Sequence, residues 1–496
     1  MMKYNRANYA DAVYTIPKNP IYMGNPLIEA VYENLPYEVI WRELAQTVPY
    51  EEGYKELPPE IRINMASALQ YYFVPWEKHI DLAEEIQRTI IDGYVPRNPF
   101  DKRCVAVNSQ IRQSMQKKDA SFENCTFRTA NSGPTGFSVV GYSGMGKSCS
   151  IRNILNLIPQ KIRHSKYEET DFPELQVTWL HIQCPHDASV KGLCFEFLKQ
   201  FDKVVNDNLS EQFEVSDRVT VNRLITQTAQ LARRYHLGVL VIDEIQNIRT
   251  ARGKNQDEII KFLLQVTNTI EIPIILVGTP AAIDVLQSDS MLSRRFLPKC
   301  VFDRLKKDED AWLSMCRSLW QYQWTKERSK LTREISEALH EVSFGVTDIA
   351  IKVVIEAQRL AISSGHEVVT PELIREVGQS YTFRPFRMRM ERILRSDPSV
   401  AISGDCAIVA WNTLTRAADI QETLPQLITK TASTEKETEK KTGDEPERAE
   451  KGHRNKPEGA RKGKKATASS DGYQSYMDRG MIGNLSEYIY GKHRVG

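Results

Sequence analysis

Residues 136–148, GFSVVGYSGMGKS, run a short apolar stretch into a glycine turn that ends in lysine and serine. Gly141, Gly146, Lys147 and Ser148 satisfy the spacing G-x-x-x-x-G-K-[ST]. Glycines let successive backbone N–H groups turn inward around a phosphate, and a helix starting at the end of the turn adds the positive end of its dipole. Gly141, Tyr142, Ser143, Gly144, Met145, Gly146, Lys147, Ser148 and Cys149 thus form a candidate cradle for a nucleoside triphosphate. Lys147 would reach the β and γ phosphates, and the Ser148 hydroxyl would ligate Mg2+. The bland alternative is a glycine turn with a surface lysine. Element order argues against it, because FSVV before the turn reads as strand and SCSIRNILNLI after it as helix.

A second set of reactive residues lies downstream. Asp243 closes the apolar run LGVLVID, where a metal-bound water would be held, and Glu244 follows it, placed to polarise a water for attack on the γ phosphate. Thr279, after IPIILVG, has two readings: it senses the γ phosphate, or it caps the next helix ahead of Pro280. Arg294 and Arg295 are adjacent, so on a helix they point in different directions. One could pair locally while the other crosses a subunit boundary as an arginine finger.

The elements that must hold these residues are short β-branched runs separated by amphipathic stretches. The runs are FSVV (137–140), LQVTWLHIQC (175–184), LGVLVID (237–243), IPIILVG (272–278) and KCVFD (299–303). Continuous apolar strands alternating with helices indicate an α/β fold with a buried, mostly parallel sheet. One strand separates the glycine turn from the Asp243–Glu244 pair, which favours the P-loop branch that uses a catalytic glutamate. The α/β core is assigned to 93–304 and a helical lid to 305–380. Residues 1–92 read as a mostly helical domain whose helices are kept short by Pro17, Pro20, Pro26, Pro36, Pro49, Pro58 and Pro59. A C-terminal helical extension is expected over 381–430. Residues 431–470, TASTEKETEKK and onward, lack aromatic and large aliphatic side chains and read as a disordered charged linker. Residues 471–496 regain Tyr, Met, Leu and Ile and read as a short docking segment or a frayed helix.

Bulk properties bound the rest. A chain of 496 residues is too long for one core, and a formal net charge of +2 gives no global pull toward polyanions, so any basic surface must be local. The eight cysteines form no CxxC pair and no metal-spaced cluster with histidine, so reduced thiols are expected. The N-terminus lacks a signal-peptide core and no apolar run has membrane length, which reads as a cytoplasmic protein with no membrane contact.

The combination GYSGMGKS, LGVLVIDEIQNI, IEIPIILVGTP and GYVPRNP resembles TnsC, the AAA+ ATPase family that regulates target choice in heteromeric transposons, and more distantly TniB. The similarity extends over about residues 20–375. It implies a bacterial, DNA-associated ATP hydrolase that uses Mg2+ and assembles on double-stranded DNA as a homo-oligomeric ring or filament, hexameric or heptameric. It also implies a link from a target selector of the TnsD/TniQ type to the TnsA and TnsB transposase subunits, and a part in target immunity. The N-terminal segment would receive the selector and the tail would contact the transposase. DNA contact is expected from residues 160–166, QKIRHSK, and 184–191, CPHDASVK, read as loops, with Lys161, Arg163, Lys166 and Lys191 at phosphates. Two features depart from the family: the lid turn is Gly345-Val346-Thr347-Asp348 without the usual arginine, leaving Lys352 as a substitute nucleotide contact, and the C-terminal region differs. Two other functions stay open: an ATP-binding scaffold with negligible turnover, and a helicase loader or origin-recognition ATPase.

Overall fold

The computed structural model describes residues 9–31, 36–117, 136–205, 220–250, 254–267, 271–287 and 289–394. The expected linker over 431–470, the docking segment over 471–496 and most of the 381–430 extension lie outside them.

Five parallel strands form the central sheet: β1 (Phe137–Gly141), β2 (Trp179–Gln183), β3 (Val239–Asp243), β4 (Ile274–Gly278) and β5 (Pro298–Phe302). Their spatial order is β5-β1-β4-β3-β2, so β4 lies between the glycine-turn strand and the Asp243 strand. That order, with β2 and its helix inserted ahead of β3, is the AAA+ P-loop arrangement. Every residue of β1, β3 and β4 is buried, as expected of central strands covered on both faces. Val140 pairs with Gly278 and Ile242 with Leu276, so the carboxyl ends of the three strands meet at one edge. Those ends carry Gly141, Asp243 and Thr279, which is how residues more than a hundred positions apart reach one place.

The run LQVTWLHIQC is divided. Leu175–Val177 joins a separate three-stranded sheet with Lys161–Arg163 and Tyr9–Asp11, and the chain enters β2 only after Thr178. Thr178 is fully buried; its amide donates to Gln160 O at 2.9 Å and its hydroxyl to Pro159 O, while its carbonyl accepts from the Val239 amide at 3.1 Å, so the residue bridges the two sheets where the chain passes from one to the other. Residues 161–163, inside a segment expected to be a loop, are therefore a strand, and Lys166–Tyr167 forms a two-residue ladder with Thr170–Asp171.

In the N-terminal segment, proline opens or precedes the helices Pro26–Glu29, Tyr37–Leu44 and Pro59–Ala66, where the missing N–H costs nothing. The longer helix Glu77–Tyr94 buries Ile80, Ile86, Ile90 and Tyr94, and these residues join one continuous apolar core with the sheet and the lid. The segment GYVPRNP is fixed at the amino end of β3: Tyr94 donates to His236 O at 2.8 Å, and Arg97 donates to Gly93 O and Leu237 O, each at 2.6 Å.

The lid comprises Asp310–Leu319, Arg333–Ser343, Thr347–Ser363 and Pro371–Gln379, followed by Arg384–Leu394. Its interior is built on Trp312, Trp324, Leu339 and Val353. Helix Pro59–Ala66 packs on helix Thr347–Ser363, so the N-terminal segment touches lid and core alike.

Candidate functional site

At the end of β1 the chain turns through Gly144 and Gly146, both in the left-handed region at φ 83° and 82°, where a side chain would be strained. Gly146 caps the nine-residue helix Lys147–Leu155, so the helix N-terminus opens into the turn. Lys147 is only 8% exposed, and its Nζ donates to Gly141 O at 2.8 Å and Tyr142 O at 2.9 Å. Burial pushes its pKa down to about 8, against the opposing pull of Asp243 and Glu244. A buried ammonium solvated by two neutral carbonyls gains strongly from an anion. A phosphate oxygen is the natural replacement for those carbonyls.

Asp243 lies opposite and is 3% exposed. Burial alone would raise its pKa, but His181, the Ser148 hydroxyl and the Glu244 amide outweigh this and hold it below the usual carboxylate value. The Glu244 amide donates to Oδ1 at 2.8 Å, and His181 Nε2 stands 3.6 Å from Oδ2. Ser148 and Asp243 thus offer adjoining hard oxygens, with the His181 ring close behind the carboxylate. This donor set fits Mg2+, which takes one or two protein oxygens and completes its shell with water and phosphate. No group of three or more His, Cys, Asp or Glu side chains able to hold a metal occurs among the described residues, so a metal here needs those outside ligands.

Glu244 is the non-glycine residue at the site with a left-handed backbone, φ 58°. Such a conformation costs on the order of 1 kcal/mol and fixes where the carboxylate points. Gln246 Nε2 donates to that carboxylate, and Gln246 Oε1 accepts from the Thr279 amide at 3.1 Å. One amide side chain therefore ties the end of β3 to the end of β4. Gly278 makes room for it, since a Cβ there would fall 2.8 Å from Gln246 Oε1. The Thr279 hydroxyl is buried and makes no hydrogen bond, including none to the helix Ala282–Gln287 that it was considered to cap. An unpaired buried hydroxyl beside the turn is open to a ligand oxygen.

The lid closes on the turn directly. Asp348 N and Thr347 Oγ1 each donate to Gly144 O at 3.1 Å. Lys352 pairs with Asp348 at 2.7 Å, both about half-exposed, so the candidate nucleotide lysine is held one helical turn back from the phosphate loop. Arg304, between β5 and the lid, lies with Cζ 5.5 Å from the centre of the Tyr142 ring and donates to Phe344 O at 3.3 Å. Arg294 and Arg295 end the helix Ser290–Arg295; Arg294 is exposed with Nε donating to Ser290 O at 3.2 Å, and Arg295 is half-buried.

Of the four cations considered for DNA, Lys161 and Arg163 flank the Tyr9 ring at 5.6 and 5.7 Å, Arg163 pairs with Asp11 at 2.8 Å, and Lys166 pairs with Glu169 at 3.4 Å. Lys191 sits 5.5 Å over Phe195. Local acids thus offset part of that charge.

The structure brings together Gly141, Tyr142, Ser143, Gly144, Met145, Gly146, Lys147, Ser148, Asp243, Glu244 and Thr279. It adds His181, Gln246, Asp348 and Arg304, none of which the sequence reading singled out as site residues. Gln246 was visible only as the last letter of DEIQ.

Residues 111–304, which include the phosphate loop, match the family model of the bacterial TniB protein. Among solved structures, the Walker-type ATPase PABY2304 of Pyrococcus abyssi is 14% identical over 58% of this chain and 76% of that one, with a TM-score of 0.35. Cdc6p of Pyrobaculum aerophilum is 14% identical over 54% and 65%, at 0.34, and the RuvB Holliday junction branch migration motor of Thermotoga maritima is 13% identical over 61% and 81%, at 0.30. No curated protein sequence matches the chain.

Proposed function

We propose that this chain is a magnesium-dependent ATP hydrolase of the TnsC kind, which assembles on double-stranded DNA while its triphosphate is intact. In that assembly it joins a target selector of the TnsD/TniQ type to the TnsA and TnsB transposase. The observation that carries the nucleotide part is the buried Lys147 ammonium beside the Ser148–Asp243 oxygens, at a helix N-terminus on the lid's contact point. The match to TniB supports the transposition part.

The residues divide the work. Lys147 exchanges the Gly141 and Tyr142 carbonyls for phosphate oxygens. Ser148 and Asp243 would hold Mg2+, which when bound neutralises charge on the phosphates. Glu244 accepts the proton of the attacking water, and Gln246 keeps its carboxylate in register with Thr279. Because Gly144 O bonds to the lid, a change at the γ phosphate reaches the lid without an intermediary. Arg294 or Arg295 would serve a neighbouring copy.

A decisive experiment measures hydrolysis and DNA-bound assembly size for the wild type and Glu244→Gln with ATP, with ADP and without nucleotide. Wild type should assemble with ATP and disperse as it is consumed, whereas Glu244→Gln should stay assembled without turnover. Identical assembly in all three conditions would overturn the proposal. Turnover with recruitment of a helicase and no transposase would favour a loader, and assembly without turnover a scaffold.

A further inference from the structure

The helix that follows the lid, Arg384–Leu394 (RPFRMRMERIL), carries four arginines and one glutamate, a net of three positive charges in eleven residues, against +2 for the whole chain. The helix is firmly seated: Met390 and Ile393 are buried, Phe383 just before it is buried, and Phe386 meets Phe344 edge-on at 6.1 Å between ring centres. That seating fixes the opposite face, where Arg384, Met388, Arg389 and Arg392 are exposed. Tyr381, immediately ahead of it, is 89% exposed, the highest value among the large apolar and aromatic residues described. Glu391, the one acid in the helix, lies 3.6 Å from Arg387.

We propose that this helix is a second surface for the phosphate backbone of duplex DNA, in addition to the segments around Lys161 and Lys191. The inference depends on the chain being a DNA-bound ATPase and names a helix beyond the lid that the duplex would touch. Arg384 and Arg392 are eight positions apart, roughly 12 Å along a helix. A duplex presents a phosphate charge about every 1.7 Å of axis, so a line of guanidinium groups of that length meets several. Arginine suits the task because its planar fork bonds two oxygens of one phosphate. The concentration of positive charge favours a polyanion over a protein partner. Tyr381 and Met388 give apolar contact for deoxyribose, and none of these groups reads base edges, so binding here is independent of sequence.

The test uses the full chain with a blunt, mixed-sequence duplex, reading affinity as a function of salt for Arg384→Gln, Arg389→Gln and Arg392→Gln, singly and combined. Each change should lower the slope of log affinity against log salt by about 0.9, and the triple change by about 2.7. Replacing all three by lysine should keep most of the slope, which separates charge from misfolding. If the wild type binds DNA with a steep slope and the triple glutamine variant keeps it, this inference fails while DNA binding stands. If the wild type itself shows no salt-dependent binding, the broader reading fails. Unchanged DNA binding with lost capture of TnsA or TnsB would assign the helix to a protein partner and equally overturn it.

Discussion

Arg62 and Glu367 form a two-pronged ion pair, Nη1 to Oε2 at 2.7 Å and Nη2 to Oε1 at 2.6 Å, that fastens the N-terminal segment to the lid. Arg62 is fully buried and also donates to Leu57 O and Trp324 O, so its donors are well satisfied. Removing one partner strands the other charge, and Arg62→Ala should cost about 3–5 kcal/mol, read as a lower urea midpoint. Replacing both by apolar residues of similar size should cost much less. The hydrogen bond from Arg62 also holds the Glu367 carboxyl below its ordinary value. A lowered native value means the contribution is complete above the ordinary glutamate pKa of about 4.3 and is lost as pH falls from there through the native value. Glu367→Gln should abolish that acid-side slope; an unchanged slope would show that other groups supply it.

Lys147 gives a slope of the same sign in a more alkaline window, because its charged form is the one that folding disfavours. Its native pKa of about 8 lies below the ordinary lysine value of about 10.4, so between them the unfolded chain binds more protons. Nucleotide-free protein should therefore gain stability as pH rises across that window, by ~3 kcal/mol at most. Lys147→Met should be more stable than wild type at neutral pH and lack the rise, while losing nucleotide binding. Thermal melts across pH with and without ADP check both; a less stable Lys147→Met would mean that the loop bonds of Lys147 outweigh the cost of burying it.

Gln246 acts through Glu244 and is a positioning residue. Gln246→Ala frees the carboxylate and unties β3 from β4, so kcat should fall roughly 10–100-fold with KM for ATP little changed. Glu244→Gln should fall further, by about 10²–10⁴-fold, since it removes the proton acceptor itself. Equal losses in the two variants would mean that Gln246 contributes more than orientation.

How much of this the sequence disclosed depended on whether the information was local. β1, β3 and β4 were legible because fully buried strands are continuous apolar runs, and Lys147, Ser148, Asp243 and Glu244 were legible because each sits at a fixed offset from such a run. Residues 161–163 were not, since a three-residue strand rich in charge becomes one only by pairing with other segments, Leu175–Val177 on one side and Tyr9–Asp11, about 150 positions away, on the other. The division of LQVTWLHIQC at Thr178 was hidden for the same reason, its partner Gln160 lying on another segment. Gln246 was in plain view in DEIQ, but its role comes from the meeting of two strand ends, which no periodicity encodes. The seating of residues 50–72 on the lid was equally invisible, because Tyr50 and Arg62 find Gln323 O and Glu367 only after folding.

Asp348 closes the lid turn that lacks the arginine the family resemblance leads one to expect, with its amide on Gly144 and its carboxylate on Lys352. An acid there opposes a triphosphate and keeps the nearest lid cation occupied. The pair is about half-exposed, so breaking it costs little stability, ~0–1 kcal/mol. Asp348→Asn keeps the backbone bond, removes the negative charge and frees Lys352, so ATP should bind roughly threefold more tightly, a gain of about 0.7 kcal/mol. The double variant Asp348→Asn, Lys352→Gln should lose that gain if Lys352 is the group released onto the phosphates. Calorimetric titration with a non-hydrolysable ATP analogue measures both. Weaker binding by Asp348→Asn would instead show that the Asp348–Lys352 pair holds the lid against Gly144, and that lid placement outweighs charge at this position.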